Sequence, residues 1–559
     1  MQALLRHAGP LCLLTLLCAA LYLPGIAALP PLDRDEARFA QASVQMLEDG
    51  DWLVPQFQEQ PRSKKPAGIY WLQAASVAAA SEAAARAIWA YRVPSVLGAW
   101  AAVLLAYALG GCLAGRRAAL LGAALLAGSL LLAAEAHQAK TDAVLLATVL
   151  LALWGVARGW AAWQNGAVDR DPGAAAAFWG GLGLSVLIKG PIGPAVVILA
   201  LPALCLAGGG WGWLRPLGDR RAVVLFLLLA GGWPVALALT GDLGFLWVST
   251  QEDLIPKLLS GQESHGAPPG THLLLLYAGF WPVSLVVLPA LAGVWRRLGH
   301  PGLRFCLAWA LPGWLLFELV PTKLPHYVLP LYPALALAAA IVLIEAPPPA
   351  AAGRWARWLS RPGAWLNRWL GRPGFWLNRW LYVAHLGLWT LLGLGLAVAL
   401  AILPQSVAES AGLWAYGPAA VTGLGTLAGA GLALRRPGPA ATLAALALAL
   451  AVFPLLAQVY APRLDRLWVA RTAVAHLPPA DQRPPLIAAG YHEPSLVFLA
   501  GSDTHLTTGA GAANALAARP GGYALVAGAA RAVFETAAED RGLALVEVAS
   551  FPGFNYSKG

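Results

Sequence analysis

A cluster of acidic residues follows the first long apolar run of the chain and has the composition of a reactive site. Asp33, Asp35 and Glu36 stand together in the run Leu-Asp-Arg-Asp-Glu-Ala-Arg-Phe-Ala. Carboxylates at a membrane boundary are costly unless they face a polar cavity or a cation. Adjacent residues of a helix point in different directions. We therefore expect one member of the Asp35 and Glu36 pair to face a substrate while the other supports the fold.

Lysines form the second group of candidate functional residues. Lysine carries a compact, strongly hydrated positive charge, and ionisable groups at membrane depth are usually functional. Lysines in short turns beside apolar runs therefore indicate an anionic ligand, most simply a phosphate at membrane level. The alternative is that they are ordinary solvated surface lysines. The seven lysines of the chain are Lys64, Lys65, Lys140, Lys189, Lys257, Lys323 and Lys558.

The composition places these groups in a membrane protein. The chain has 559 residues, of which 58% are hydrophobic and only 12% charged, and its net charge is +10. Soluble proteins average about 25% charged residues, so a soluble globular protein, a disordered protein and a nucleic-acid-binding surface are excluded. About thirteen apolar runs are long enough to cross a bilayer. We therefore predict a polytopic α-helical membrane protein with a transmembrane domain over residues 1–460.

Arginine fixes the predicted orientation. With about thirteen spans, every loop on one side carries arginine, as the positive-inside rule requires. Residues 67–80 are then a helix in or near the interface, because a further span would reverse all later loops. The opposite face receives all the lysines, a first loop over about 30–91, a second loop over about 241–272 and a tail, 461–559.

The tail has the pattern of a small α/β domain. Apolar segments at 485–489, 523–527 and 543–548 have the character of strands, and 514–518 and 530–540 that of helices. Strands that alternate with helical segments favour an α/β arrangement. We expect this domain on the same face as the lysines.

Several ordered motifs carry a resemblance to a known family. Asp-Glu-Ala-Arg-Phe-Ala from residue 35 is followed by Gly-Asp-Trp-Leu-Val-Pro, Lys-Lys-Pro and Tyr-Trp-Leu. Later come Leu-Ile-Lys-Gly at 187–190 and Thr-Lys-Leu-Pro-His-Tyr-Val-Leu-Pro at 322–330. In this order the motifs closely resemble the ArnT-like, aminoarabinose-transferring enzymes of the GT-C superfamily, which are related to protein O-mannosyltransferases. The resemblance covers residues 1 to about 345 and implies a GT-C fold with a periplasmic C-terminal α/β domain.

The resemblance also implies roles for individual residues. Asp35 matches the catalytic carboxylate of the first loop, and Asp142 best matches a second functional carboxylate. Lys65 matches the lysine that contacts the phosphate of the donor. We expect the other donor-phosphate and substrate-binding residues to be Lys64, Arg38, Arg62, Lys189, Lys323, Glu36, Tyr70, His265 and His326.

One departure from the family concerns metal binding. The aminoarabinose transferases carry a glutamate immediately before the phosphate-contacting lysine and use it in a metal site, whereas this chain has Lys64. A cationic side chain has no acceptor to offer a metal ion. We therefore expect no metal and no other cofactor. The alternative is a partial metal site built from His265, His272 and His326.

The function implied is transfer of a sugar, 4-amino-4-deoxy-L-arabinose or a similar one, from undecaprenyl phosphate to lipid A or lipopolysaccharide. The site would face the periplasm from the bacterial inner membrane, in a monomer whose partners are the polyprenyl donor, the glycolipid acceptor and membrane lipids, with no nucleic acid. Such lipid A modification is associated with polymyxin resistance. The alternatives are galacturonosyl or other sugar transfer to lipopolysaccharide core, which the 241–272 loop favours, protein O-mannosyl transfer, and a lipid transporter or flippase.

Overall fold

The structure is a computed structural model that describes residues 2–167, 170–208, 210–256, 266–345, 373–410, 412–435 and 438–557. Most of these residues are helical. The helices up to residue 345 are α1 (Gln2–Tyr22), α2 (Asp35–Asp49), α3 (Gly68–Ala80), α4 (Ile88–Ala127), α5 (Leu130–Ala136), α6 (Asp142–Gln164), α7 (Pro172–Lys189), α8 (Ile192–Gly208), α9 (Arg220–Thr240), α10 (Gly244–Val248), α11 (Thr271–Gly279), α12 (Ser284–Leu291), α13 (Pro301–Leu319) and α14 (Tyr332–Ile344). The later helices are α15 (Pro373–Val407), α16 (Leu413–Arg435), α17 (Pro439–Leu455), α18 (Val469–Ala475), α19 (Pro494–Ala500), α20 (Gly509–Ala517) and α21 (Gly528–Glu539).

The helical part of the chain is a multi-pass membrane protein. Eight helices of the described chain are long and apolar enough to cross a bilayer, and His7–Tyr22 and Ile192–Gly208 are apolar but shorter. The total of about thirteen spans stays a prediction. Small residues allow close packing at several crossings; at Gly98 a Cβ atom would lie 2.8 Å from the backbone of Val144, which fixes how closely α4 and α6 approach.

The first loop is folded rather than extended. It contains α2, a two-stranded hairpin formed by β1 (Gln56–Phe57) and β2 (Gln60–Pro61), and α3. The segment 67–80, predicted as a helix outside the spans, coincides with α3. Helix α2 packs against α3, and α3 packs against α4. The loop therefore rests directly on the helical bundle and carries Asp35 at the first residue of α2.

The C-terminal residues form a small α/β domain, as predicted. Its three parallel strands are β3 (Ile487–Ala489), β4 (His505–Thr507) and β5 (Ala524–Val526), in the order β4-β3-β5. The helices predicted at 514–518 and 530–540 overlap α20 and α21. Helix α19 of this domain packs on α2 of the first loop.

Two details of the predicted sheet were wrong. The segment 543–548 is not a strand, because it follows the turn at Gly542 and runs exposed along the surface, with Val546 86% exposed. The strand β4 was missed, because its three residues lie among Ser, Thr and Gly and have the composition of a loop.

Candidate active site

A cavity opens where the first loop meets the ends of several membrane helices. It lies between the N-terminus of α2, the turn before α6, the C-terminal residue of α7 and the segment that precedes α14. Its lining is mostly polar and cationic. The lining residues are Asp35, Phe39, Arg62, Lys64, Lys65, Lys140, Thr141, Asp142, Lys189, Thr322, Leu324, His326 and Tyr327.

The structure brings together many of the residues singled out from the sequence. They come from four separate parts of the chain, which the fold joins at one cavity. Their placement at a shared cavity agrees with the expected site, and their individual roles stay predictions. The predicted site residues that line the cavity are Asp35, Asp142, Lys64, Lys65, Arg62, Lys189 and His326.

Asp142 is the first residue of α6 and lies at the centre of an ion-pair network. The Lys189 Nζ lies 2.5 Å from its Oδ1, and both side chains are almost buried. The Nε2 atom of His326 lies 4.0 Å from the same oxygen, and its Nδ1 lies 3.8 Å from Glu135 Oε1. Glu135 in turn pairs with Lys140 at 3.0 Å. Two lysines, two carboxylates and one imidazole therefore form one connected network, and all of them except Glu135 line one wall of the cavity.

Lys140, one of the seven lysines considered from the sequence but not named there as a donor ligand, lines the cavity. Burial disfavours its charged form, but the Glu135 and Asp142 carboxylates outweigh burial and raise the pKa of Lys140. The lysine therefore stays charged at all physiological pH. The available signal was its position, two residues before Asp142 in the same short turn. Glu135, the ion-pair partner of Lys140, gave no such signal in the sequence. Its contact with Lys140 forms only because the turn after α5 folds back.

Asp35 stands opposite this wall at the start of α2. Asp35 is exposed and lines the cavity. Partial desolvation by nearby protein atoms opposes its ionisation, but the positive charges of Arg62, Lys140 and Lys65 outweigh this effect, and its pKa lies below the usual 3.8. Asp35 is therefore a carboxylate at neutral pH and is ready to accept a proton or a cationic group.

Arg62 is held rigidly at the edge of the cavity. Its Nε donates to the Tyr70 hydroxyl at 3.1 Å, and its guanidinium lies 4.9 Å from the centre of the Phe39 ring. Such a stacked and hydrogen-bonded arginine loses little freedom when it meets an anion. Tyr70, predicted to bind substrate, is fully buried and does not line the cavity; its contact with the site is the hydrogen bond from Arg62.

The cavity carries excess positive charge. Five cationic side chains line it, namely Arg62 and the four lysines, against the two carboxylates Asp35 and Asp142. Glu135 cancels one further charge through Lys140. A lining with more cationic than acidic side chains suits an anionic ligand.

The structure assigns Glu36 to the fold instead of the cavity. Its carboxylate receives two bonds of 2.8 Å from Arg92, and both side chains are completely buried. It also accepts from the backbone N–H groups of Leu32 and Ala139, each at 2.8 Å. The prediction that Glu36 binds substrate is corrected, because every carboxylate oxygen is already used inside the protein.

Two predicted phosphate ligands lie away from the cavity. Lys323 is buried and donates to the backbone oxygens of Glu318, at 2.9 Å, and Val320, so that it caps the C-terminus of α13. Lysine is favoured there because the last carbonyls of a helix lack partners and carry partial negative charge. Arg38 is half-buried and does not line the cavity. Both are corrected as phosphate ligands in this structure.

The histidines do not assemble a metal site in the described part of the chain. His265 lies outside the described residues, as do Lys257 and Lys558. His272 is buried and contacts the Leu324 carbonyl at 3.2 Å and Glu318 at 3.8 Å, whereas His326 contacts Glu135 and Asp142. Within the described ranges no three His, Cys, Asp or Glu side chains are grouped to hold a metal ion. The two described histidines therefore belong to separate clusters.

Sequence comparison relates the chain to lipid-linked sugar transferases. The family described as dolichyl-phosphate-mannose-protein mannosyltransferase matches residues 64–233. Undecaprenyl phosphate-alpha-4-amino-4-deoxy-L-arabinose arabinosyl transferase from Edwardsiella ictaluri is 28% identical over 54% of this chain and 54% of its own length. The protein of the same name from Pseudomonas paraeruginosa is 30% identical over 56% and 55%. The matches thus span about half of each relative.

Structural comparison extends the likeness to nearly the whole chain. The crystal structure of ArnT from Cupriavidus metallidurans bound to undecaprenyl phosphate covers 91% of this chain and 88% of its own, with a TM-score of 0.65 and 17% identity. Its apo form gives a TM-score of 0.63. The chain therefore shares the fold of these structures. It resembles ArnT, which confirms the resemblance predicted from its motifs.

Proposed function

We propose that the protein is a glycosyltransferase that moves a sugar from a polyprenyl phosphate to a glycolipid acceptor. The observation that carries the proposal is the cavity at the membrane-helix ends, where five cationic side chains line the same space as the Asp35 carboxylate. The named activity of the sequence relatives supports it. The bound undecaprenyl phosphate named for the ArnT structure supports the class of donor.

The charge balance suits the chemistry of the leaving group. In the donor, a phosphodiester carries one negative charge between the sugar and the lipid. As the bond from the anomeric carbon to the phosphate oxygen breaks, the polyprenyl phosphate departs with the bonding electrons and gains a second negative charge. Lys65, Lys189 and Arg62 are held near this developing charge and stabilise it without reorganisation.

Asp35 acts on the molecule that accepts the sugar. The acceptor oxygen forms the new bond to the anomeric carbon, and if it is a hydroxyl, it must lose a proton as it attacks. The Asp35 carboxylate then takes that proton as general base. If the acceptor is a lipid A phosphate, its oxygen is already anionic, and Asp35 positions the acceptor or balances a cationic sugar.

Two kinds of sugar are candidates for the transferred group. Aminoarabinose follows from the names of the relatives. An anionic sugar such as galacturonic acid is favoured by Lys64, which adds a positive charge to the cavity lining. The proposal further places the site on the periplasmic face of the inner membrane, in a monomer that needs no metal.

The experiment uses the full protein reconstituted with labelled undecaprenyl phosphate sugars and lipid A or lipopolysaccharide. We expect a mass increase of the acceptor by one sugar, with aminoarabinosyl and galacturonosyl donors compared in parallel. Asp35→Asn should reduce transfer by about a hundredfold to ten-thousandfold if a proton is transferred, while the protein remains folded. Arg38→Gln, outside the cavity, is the matched control. Absence of transfer to every glycolipid by the wild-type protein would refute the proposal.

A further inference from the structure

Asp35 lies between two anchors that belong to different parts of the molecule. On its C-terminal side, Glu36 is tied to Arg92 and to the Ala139 backbone. On its N-terminal side, Asp33 is tied to the C-terminal domain. The first anchor is part of the helical bundle, whereas the second depends on residues more than four hundred positions away in the chain.

Three groups of the C-terminal domain hold Asp33. Its backbone N–H donates to the Tyr556 hydroxyl at 2.8 Å. Its carboxylate accepts from the Tyr491 hydroxyl and from the backbone N–H of Ser495, each at 3.3 Å. Burial raises the pKa of Asp33, against the lowering effect of its hydrogen bonds with Ser495. The carboxyl group is thus withdrawn from water and positioned by neutral donors of another domain.

The residue between Asp33 and Asp35 is strained. Arg34 has φ 66° and ψ −107°, a region that favours glycine, and its side chain is exposed. A residue with a Cβ atom keeps such a conformation only where its surroundings impose it, and such residues cluster at functional sites. The surroundings here are the anchors at Asp33 and Glu36. The strained link turns the chain so that α2 begins with Asp35 at the cavity.

We propose that the C-terminal domain is a positioning element of the active site, which holds Asp35 in the cavity by fixing Asp33 through Tyr491, Ser495 and Tyr556 across the strained Arg34. This inference rests on the proposed function for its kinetic consequence. Asp33 and its partners are positioning residues, because they act through Asp35 and do not line the cavity.

The same interface contains a contact that serves as a control. Ser502 of the C-terminal domain accepts from Gln41 and Arg86, each at 2.8 Å, and donates to Glu48 at 2.6 Å. Gln41 and Glu48 lie further along α2, away from Asp35. Ser502→Ala therefore weakens the same interface of the C-terminal domain, but at a place that does not contact Asp33 or Arg34.

The kinetic test compares Asp33→Ala, Tyr556→Phe and Ser502→Ala in the full-length protein. We expect Asp33→Ala to lower kcat by about tenfold to a hundredfold, as a small displacement of a reacting group does, with the KM for the lipid-linked donor unchanged because its phosphate ligands are untouched. Tyr556→Phe removes one hydroxyl and should lower kcat less. Ser502→Ala should stay within about twofold of wild type.

A rescue variant separates positioning from general damage. Glycine adopts positive φ without penalty, so Arg34→Gly added to Asp33→Ala should recover part of the lost kcat. Amide hydrogen exchange provides a readout that is independent of sugar transfer. Exchange over residues 34–38 should rise in Asp33→Ala and stay at the wild-type level in Ser502→Ala.

The two proposals fail in different ways. If the wild-type protein transfers no sugar, the proposed function fails, and the exchange measurement alone tests the positioning role. If the wild type is active but Asp33→Ala and Tyr556→Phe keep its kcat and its exchange pattern, the positioning role is overturned. Equal loss of kcat in Asp33→Ala and Ser502→Ala, without rescue by Arg34→Gly, would overturn it as well.

Discussion

Two ion pairs of similar chemistry play different parts in this molecule. Glu36 and Arg92 are completely enclosed, and every atom of the carboxylate is satisfied within the protein. Asp142 and Lys189 are nearly as well buried, yet both line the cavity. The comparison teaches that burial and pairing alone do not mark a functional residue. What distinguishes the two pairs is whether a ligand can reach one partner.

The enclosed pair should show the larger effect when it is broken. Arg92→Met leaves the Glu36 carboxylate buried without its partner and removes the donors to the Ile26, Leu29 and Pro30 carbonyls. Loss of one partner of a buried ion pair costs about 3–5 kcal/mol, so we expect a correspondingly lower free energy of unfolding. Thermal and chemical denaturation of the purified protein measures it. Arg38→Gln is the control, and a wild-type stability in Arg92→Met would remove the structural role given to the pair.

The pair at the cavity should show its effect mainly in catalysis. Lys189→Met removes a cation that faces the developing phosphate charge, and loss of one such preorganised group costs about a hundredfold or more in kcat. Lys323→Met provides the control, because Lys323 is a buried lysine that caps α13 instead of lining the cavity. We expect the control to lose stability while the folded fraction keeps its kcat. Equal kcat losses in the two variants would show that the cavity lysine has no special role.

The smallest expected effect is on the pH profile. The cations beside Asp35 hold its pKa below 3.8, so folding favours its charged form. The resulting contribution to stability is present above about pH 4 and is lost only as the pH falls through the lower folded-state pKa. Titration of Asp35 should therefore leave transfer unchanged between about pH 7 and about pH 5. Lys65→Met should move the acidic limit of the profile upwards; an unchanged limit would contradict the electrostatic account.

The residues differ in how far their sequence context predicted them. Asp35 was singled out because carboxylates beside apolar runs are costly unless they are used, whereas Asp142 was proposed only through the family resemblance. Lys323 was misassigned by the same reasoning, since a lysine at a helix end serves equally well as a cap. Glu135 was not proposed from the sequence, and Lys140 was considered only as one of seven lysines, because their contribution arises from a turn that brings them against Asp142 and His326.

The sequence by itself determined that the chain crosses a membrane many times and which adjacent acids stand at the first loop, and it predicted a face for the lysines. These properties follow from local composition and periodicity, which each segment of the sequence shows by itself. Only the tertiary structure decided that Asp35 faces the cavity while Glu36 faces Arg92, and that the C-terminal domain reaches Asp33. Those assignments depend on contacts between residues far apart in the chain, and local pattern contains no information on which distant partner a side chain meets.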